Sequence, residues 1–235
     1  MTLANAARPT TRAISVTFGN GVQMGLPFSA ALFGEAGLRL QVAIVSVHAL
    51  ILLSVLTVLA EVDIARAQVR DSGARHSLLG TLASTVRQTV IHPVVLPVLV
   101  GLAWNLAGLT IPAVLDDTLQ MLGQAVVPLC LVLIGMSLAY YGVKGAARGA
   151  VVISVLKLVV LPALVLATAH WGFGLTGLPL AVVVMMASLP VGSNALIFSQ
   201  RYAALEAEAT AAIVFSTVAF VATASVWLAV LAVLG

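Results

Sequence analysis

Gly19-Asn20-Gly21-Val22-Gln23-Met24-Gly25-Leu26-Pro27 and Leu189-Pro190-Val191-Gly192-Ser193-Asn194 decide what kind of fold this chain can adopt. Each stretch lies in the middle of a long apolar segment, and each combines Pro, Gly and an Asn. Pro lacks an amide donor and clashes with the preceding turn, while Gly costs about 1 kcal/mol in a helix interior. Both segments are therefore expected to be broken helices. At membrane depth, backbone freed by a break is tolerated only where protein or a water-filled cavity satisfies it. Gly and Pro also occur in ordinary transmembrane helices, where they make kinks and close contacts. Two breaks, each with an uncharged amide side chain beside it, point instead to a binding site. Asn offers donor and acceptor groups without placing a charge at the midplane. Opened helix ends add amides and a partial positive field that favours an anion. Paired discontinuous helices of this kind mark substrate sites in secondary transporters.

The rest of the composition requires a lipid solvent. The chain has 235 residues, 61% hydrophobic and 8% charged, with a mean hydropathy of +1.15. Soluble domains carry about 25% charged residues, so eleven Lys/Arg and eight Asp/Glu cannot cover a water-soluble globule. The apolar runs are long and continuous, unlike the short alternating strands of a β-barrel. A net charge of +3 with scattered bases argues against a nucleic-acid partner. Cys130 is the single cysteine and lies within an apolar run, so no disulfide framework exists. The fold class is an all-α polytopic membrane protein.

At about 20 residues per span, seven transmembrane helices are expected, over 13–33, 40–60, 93–111, 119–141, 149–173, 178–200 and 210–234. A polar stretch at 61–91 is expected to connect the second span to the third, in part as a short amphipathic surface helix. Asp116 and Asp117 precede the fourth span, where carboxylates suit a helix N-terminus. With the 61–91 stretch placed inside, nine of the eleven Lys and Arg fall inside, among them Arg8, Arg12, Arg75, Arg87, Lys144, Arg148 and Arg201. The positive-inside rule then gives an N-terminus in the cytoplasm and a C-terminus outside, in a cytoplasmic (inner) membrane.

Around the two breaks the chain resembles the auxin efflux carrier family, which includes bacterial malonate-type permeases. The first crossover motif is the stretch from Asn20 to Pro27, with Leu32-Phe33-Gly34 after it. Pro128 to Leu138 resembles the family's seventh helix, and Leu156-Lys157-Leu158 with Pro162 the eighth. Ser188 to Asn194, Arg201-Tyr202 and Ser216-Thr217 resemble the second crossover and the final helix. The resemblance implies ten helices in two inverted five-helix repeats, with broken crossing helices as the fourth and ninth. On that alignment the seven spans correspond to helices 4–10, and the chain begins just before the fourth. Residues 1–60 are then a partial N-terminal repeat, 61–91 a cytoplasmic connection, and 92–235 a complete C-terminal repeat. The absent helices would come from elsewhere, or the chain would act as a homodimer.

The resemblance further implies a permease that moves a small organic carboxylate by alternating access. The site would comprise Asn20 and Asn194, with Gly25, Pro27, Pro190, Gly192 and Ser193 shaping the breaks. The substrate and membrane lipid are the expected partners, and no cofactor is implied. A truncated, non-transporting remnant or interaction subunit is the alternative. An intramembrane enzyme is disfavoured, because its one nucleophile pairing, Ser193 near His170, lacks a supporting intramembrane Asp or Glu.

Lys157, eight residues into the fifth span, has two readings: a charge partner for the anion, or a side chain that extends its stem to the interface. His48 in the second span is a candidate for proton coupling or a simple hydrogen bond to a neighbouring helix. The four His residues lack zinc-ligand spacing, so no metal site is expected. Gly101, Gly108, Gly123 and Gly135 are expected to permit close helix packing.

Overall fold

The computed structural model describes residues 3–72, 95–141 and 147–234. Within them the regular elements are helices: α1 (Leu3–Thr17), α2 (Gly25–Ser72), α3 (Val95–Leu106), α4 (Ala113–Tyr141), α5 (Ala147–Gly172), α6 (Gly177–Ser188), α7 (Ser193–Arg201) and α8 (Glu206–Leu234). α5 contains two π-helical turns, Leu156–Val160 and Thr168–Gly172. The segments Gly25–Ala67, Ala147–Gly172 and Glu206–Leu234 are long and apolar enough to cross a membrane, and Gly177–Ser188 is a shorter apolar helix. At 1.5 Å per residue, even the 26-residue α5 reaches about 39 Å, more than the roughly 30 Å hydrocarbon thickness.

Both expected breaks are present. α1 ends at Thr17 and α2 starts at Gly25; α6 ends at Ser188 and α7 starts at Ser193. The interruptions meet as an isolated antiparallel bridge between Gly19 and Val191. The Asn20 amide donates to the Pro190 carbonyl at 2.8 Å, and the Gly192 amide to the Phe18 carbonyl at 3.0 Å. Each break thus supplies the partners that the other's backbone has lost. A Cβ on Gly192 would lie 2.8 Å from the Gly19 carbonyl oxygen, so the two chains pass this closely only because Gly stands there.

Several boundaries move. α1 begins at Leu3, ten residues before the expected span. It tolerates Arg12 because the guanidinium grips Glu208 in a fork, Nε to Oε1 at 2.7 Å and Nη2 to Oε2 at 3.0 Å. The buried face of α1 carries Ala7, Thr11, Ile14 and Ser15 at helical spacing. Its hydroxyls are satisfied internally, Thr11 on the Ala7 carbonyl and Ser15 on the Thr11 carbonyl. α2 reaches Ser72, so the start of the expected connection is helix. Within α2, Gly34 at φ 61° and ψ −157° separates the short second half of the crossover from the long following helix. That backbone region is open essentially to Gly alone. Residues 73–91 of the connection, the first residues of the third span, Arg75, Arg87, His92 and Lys144 lie outside the described residues.

The packing expected at Gly101, Gly108 and Gly123 finds no partner among the described residues. No described atom lies within 4 Å of a Cβ built on Gly101, Gly108 or Gly123. Gly108, at φ 63°, follows the end of α3 and turns the chain there. α3 and α4 touch the remainder chiefly through α2 and α8. Their apolar side chains stay open, with Val114 at 80% and Met121 at 72% exposure, as befits a surface facing lipid or protein.

The core lies in α1, α2 and α5–α8 and divides at the crossing. One cluster gathers Ile14, Phe18, Leu56, Leu196, Phe198 and Ile213; the other gathers Leu158, Met185, Leu189, Phe220, Trp227 and Leu231. The polar ties collect around the first cluster. Thr10 donates to Asp63 at 2.9 Å, Tyr202 donates to Glu61 at 3.0 Å, and Arg12 holds Glu208. Burial, more than the Glu61 contact, pushes the Tyr202 hydroxyl above the usual phenol range, so it stays a donor there. Glu208 is 6% exposed, and its carboxylate fills the space left by the missing side chain of Gly149. Arg12→Ala is expected to lower stability in detergent by about 1–3 kcal/mol, less than a fully buried pair because Arg12 is half exposed. A thermal melt checks this, and Glu208→Gln in the same background should recover part of the loss.

Candidate functional site

The crossing frames a cavity of about 340 Å³. Residues 18–23 form one wall and residues 192–194 the other, with Val45, His48, Ala49, Met186 and Ile197 completing it. Of the residues expected from sequence, Asn20, Gly192, Ser193, Asn194 and His48 line this space. Gly25, Pro27, Pro190 and Lys157 are not among its lining residues. Pro190 acts through its carbonyl, which receives Asn20. Pro27 falls in the first turn of α2, where its missing amide costs little. Gly25 makes room for Gln41, whose Nε2 occupies the place its Cβ would take. His170 contacts the Leu175 carbonyl at 3.1 Å and does not line the cavity, so the Ser193 pairing considered above does not form.

The local hydrogen bonding explains why the walls offer donors. The Asn20 carbonyl accepts from the Met24 and Gly25 amides, closing the turn that starts α2. The amides of Val22 and Gln23 have no partner among the described residues. α7 starts without a side-chain cap, so the Ser193 and Asn194 amides are likewise unpaired, as first-turn amides are unless capped. All four residues line the cavity. Asn20 Nδ2 bonds to Gln23 Oε1 at 3.3 Å, which ties the two side chains into one polar patch. No carboxylate lines the wall. The result is a largely apolar hollow between two helix starts, with a few uncharged polar groups and no carboxylate on its wall, an arrangement that suits a small anion with an apolar body. Its volume falls within the range of small-molecule sites.

Three residues around the cavity show how the fold aims polar groups. His48 packs its ring 5.2 Å from that of Phe18. Its Nε2 is buried with no hydrogen-bond partner among the described residues, so this atom does not bond to a neighbouring helix. Lys157 is 1% exposed and donates from Nζ to the Ala187 carbonyl at 2.7 Å. The extension to an interface is thereby overturned: the side chain ends at the crossing. Gln41, also 1% exposed, donates from Nε2 to the Gly21 carbonyl at 3.2 Å, and its Oε1 has no partner among the described residues. Sequence reading passed over Gln41, although an amide in an apolar run is the same signal that marked Asn20 and Asn194.

Residues 6–228 match the membrane transport protein family. The chain belongs to the auxin efflux carrier family of membrane transporters. Its helical, multi-pass character and the two crossing breaks are those that the motifs led one to expect. A curated relative in Rhizobium meliloti (strain 1021), described as "Putative malonate transporter", is 28% identical over 137 residues. That match covers 58% of the present chain and 43% of the relative, so the alignment spans under half the relative's length.

Proposed function

We propose that this chain carries the substrate site of a secondary transporter for small organic carboxylates, with the anion held between the two crossing breaks. The observation that supports this most directly is the cavity at the crossing, lined from both breaks by residues whose amides have no partner among the described residues, Val22, Gln23, Ser193 and Asn194, and by no carboxylate. Asn194, whose side chain makes no hydrogen bond among the described residues, supplies a further donor. The relative's name suggests malonate as the first acid to try.

In this reading the described helices correspond to helices 4–10 of an inverted-repeat fold, with the N-terminus and the polar ties at the cytoplasmic face of the inner membrane. α1, α2 and α5–α8 move together, because the backbone bridge and the ion pairs join them, while α3 and α4 belong to the part they move against. Among the described residues, α3 and α4 meet the rest chiefly at α2 and α8, which supports that division. Alternating access then exposes one cavity to each side in turn. The test is uptake and counterflow of radiolabelled malonate, succinate and acetate in proteoliposomes. Saturable uptake of one acid, competed by its unlabelled form, is expected; uptake no faster than protein-free liposomes for every acid would overturn the reading.

A further inference from the structure

Lys157 is an unusual residue for the centre of an apolar bundle, and the backbone explains where it points. The Leu161 amide donates to the Leu156 carbonyl, five residues back, which makes a π turn around Lys157. A π turn inserts one residue and rotates the side chains that follow by about 100°. Pro162 has no amide to give the Leu158 carbonyl, and Trp227 Nε1 donates to it instead at 2.8 Å. The turn is therefore stabilised from α8 and holds Lys157 toward the crossing.

What the ammonium meets there is a helix end. In a continuous helix the Ala187 carbonyl would accept from the Val191 amide, but Val191 donates to Ser216 Oγ at 3.0 Å. The carbonyl is left at the C-terminal, negative end of α6, and Lys157 Nζ takes it. Across the bridge, a Cβ on Gly19 would lie 3.2 Å from Nζ, so the charge sits directly behind the cavity wall. Among the described residues no carboxylate forms an ion pair with it. In secondary transporters with broken helices, such half-helix carbonyl ends are where a coupling cation binds.

We propose that Lys157 is a built-in substitute for that cation: its ammonium occupies the seat at the end of α6, so loading of the site needs no Na+ or K+ from solution. The tethered charge balances the anion held on the other side of Gly19, and it travels with the crossing. This rests on the carboxylate reading for its transport arm only; a second arm is independent of transport.

The transport arm compares malonate uptake in proteoliposomes with Na+ and K+ present or wholly replaced by N-methylglucamine. The wild type is expected to be indifferent, and Lys157→Met to lose about tenfold or more of its uptake. The binding arm follows thermal unfolding of detergent-purified Lys157→Ala against methylammonium, with N-methylglucamine as the ionic-strength control. Methylammonium should raise the Tm of this variant by mass action and leave the wild type unmoved. Wild-type uptake that requires Na+, Lys157→Met that matches the wild type without Na+, or a variant Tm deaf to methylammonium would each overturn the proposal. If the Ala variant does not fold, Lys157→Met serves the melt with ammonium as the probe, because its methyl takes the place of Cε and leaves only the Nζ position free. Absence of uptake by the wild type in every salt would instead sink the carboxylate reading, with the melt still deciding the role of Lys157.

Discussion

Gly192→Ala is expected to unseat the crossing and abolish uptake, although Ala is among the smallest changes a protein can receive. The backbone at this position, φ −83° and ψ 154°, suits any residue. The obstacle is space alone. The new methyl would stand 2.8 Å from the Gly19 carbonyl oxygen and 3.0 Å from its carbon, and neither is the loose end of a side chain. Relief requires the two interruptions to separate, which stretches the Gly192–Phe18 and Asn20–Pro190 hydrogen bonds together. Overpacking costs about 1–3 kcal/mol, and two buried amides left without partners add about 1–3 kcal/mol each. The Tm of the purified protein should fall sharply, and cavity-dependent uptake should vanish. Gly123→Ala is the control, since no described atom lies within 4 Å of its added methyl; it should melt and transport as the wild type does. Equal melts for the two variants would show that the crossing tolerates a wider gap than the geometry allows.

The second large effect belongs to the amides. Asn194→Ala removes a side chain that makes no hydrogen bond among the described residues, so the resting protein should fold and melt normally. Its cost falls on the bound anion: a hydrogen bond to a charged group is worth about 1.5–3 kcal/mol, or a loss of about ten- to a hundredfold in affinity. Asn20→Ala removes the Gln23 contact as well, so it should weaken binding similarly and lower the Tm slightly. Concentration dependence of malonate uptake separates these outcomes from loss of folded protein. Normal affinity in both variants would remove the side-chain part of the proposed site and leave only the backbone amides.

The breaks were legible because Pro, Gly and Asn carry their meaning locally: a missing donor, a permissive backbone and a neutral amide need no distant partner to be understood. The membrane class was legible for a similar reason, since eight charged residues in a hundred admit few alternatives. What could not be read was pairing across the bundle. Nothing in Leu156-Lys157-Leu158 reveals a hydrogen bond reaching back five residues, and a regular helical period would have left Lys157 free to snorkel. Ser216 gives no local sign that it takes the Val191 amide and so releases the Ala187 carbonyl for Lys157. Gln41 has no Pro or Gly break beside it to mark it, and only the fold of α2 brings it against Gly21. The early start of α1 was hidden by Arg8 and Arg12, which read as a boundary when Glu208, almost two hundred residues away, is not in view.

The two interrupted helices are tied to each other through main-chain atoms, Asn20 to Pro190 and Gly192 to Phe18. Such a joint is blind to most side-chain identities. Mutations that recolour the hollow around it leave the knot itself untied to their chemistry, provided the close-approaching glycines persist. Descendants of one scaffold can therefore alter the lining of the hollow without reinventing the joint that frames it.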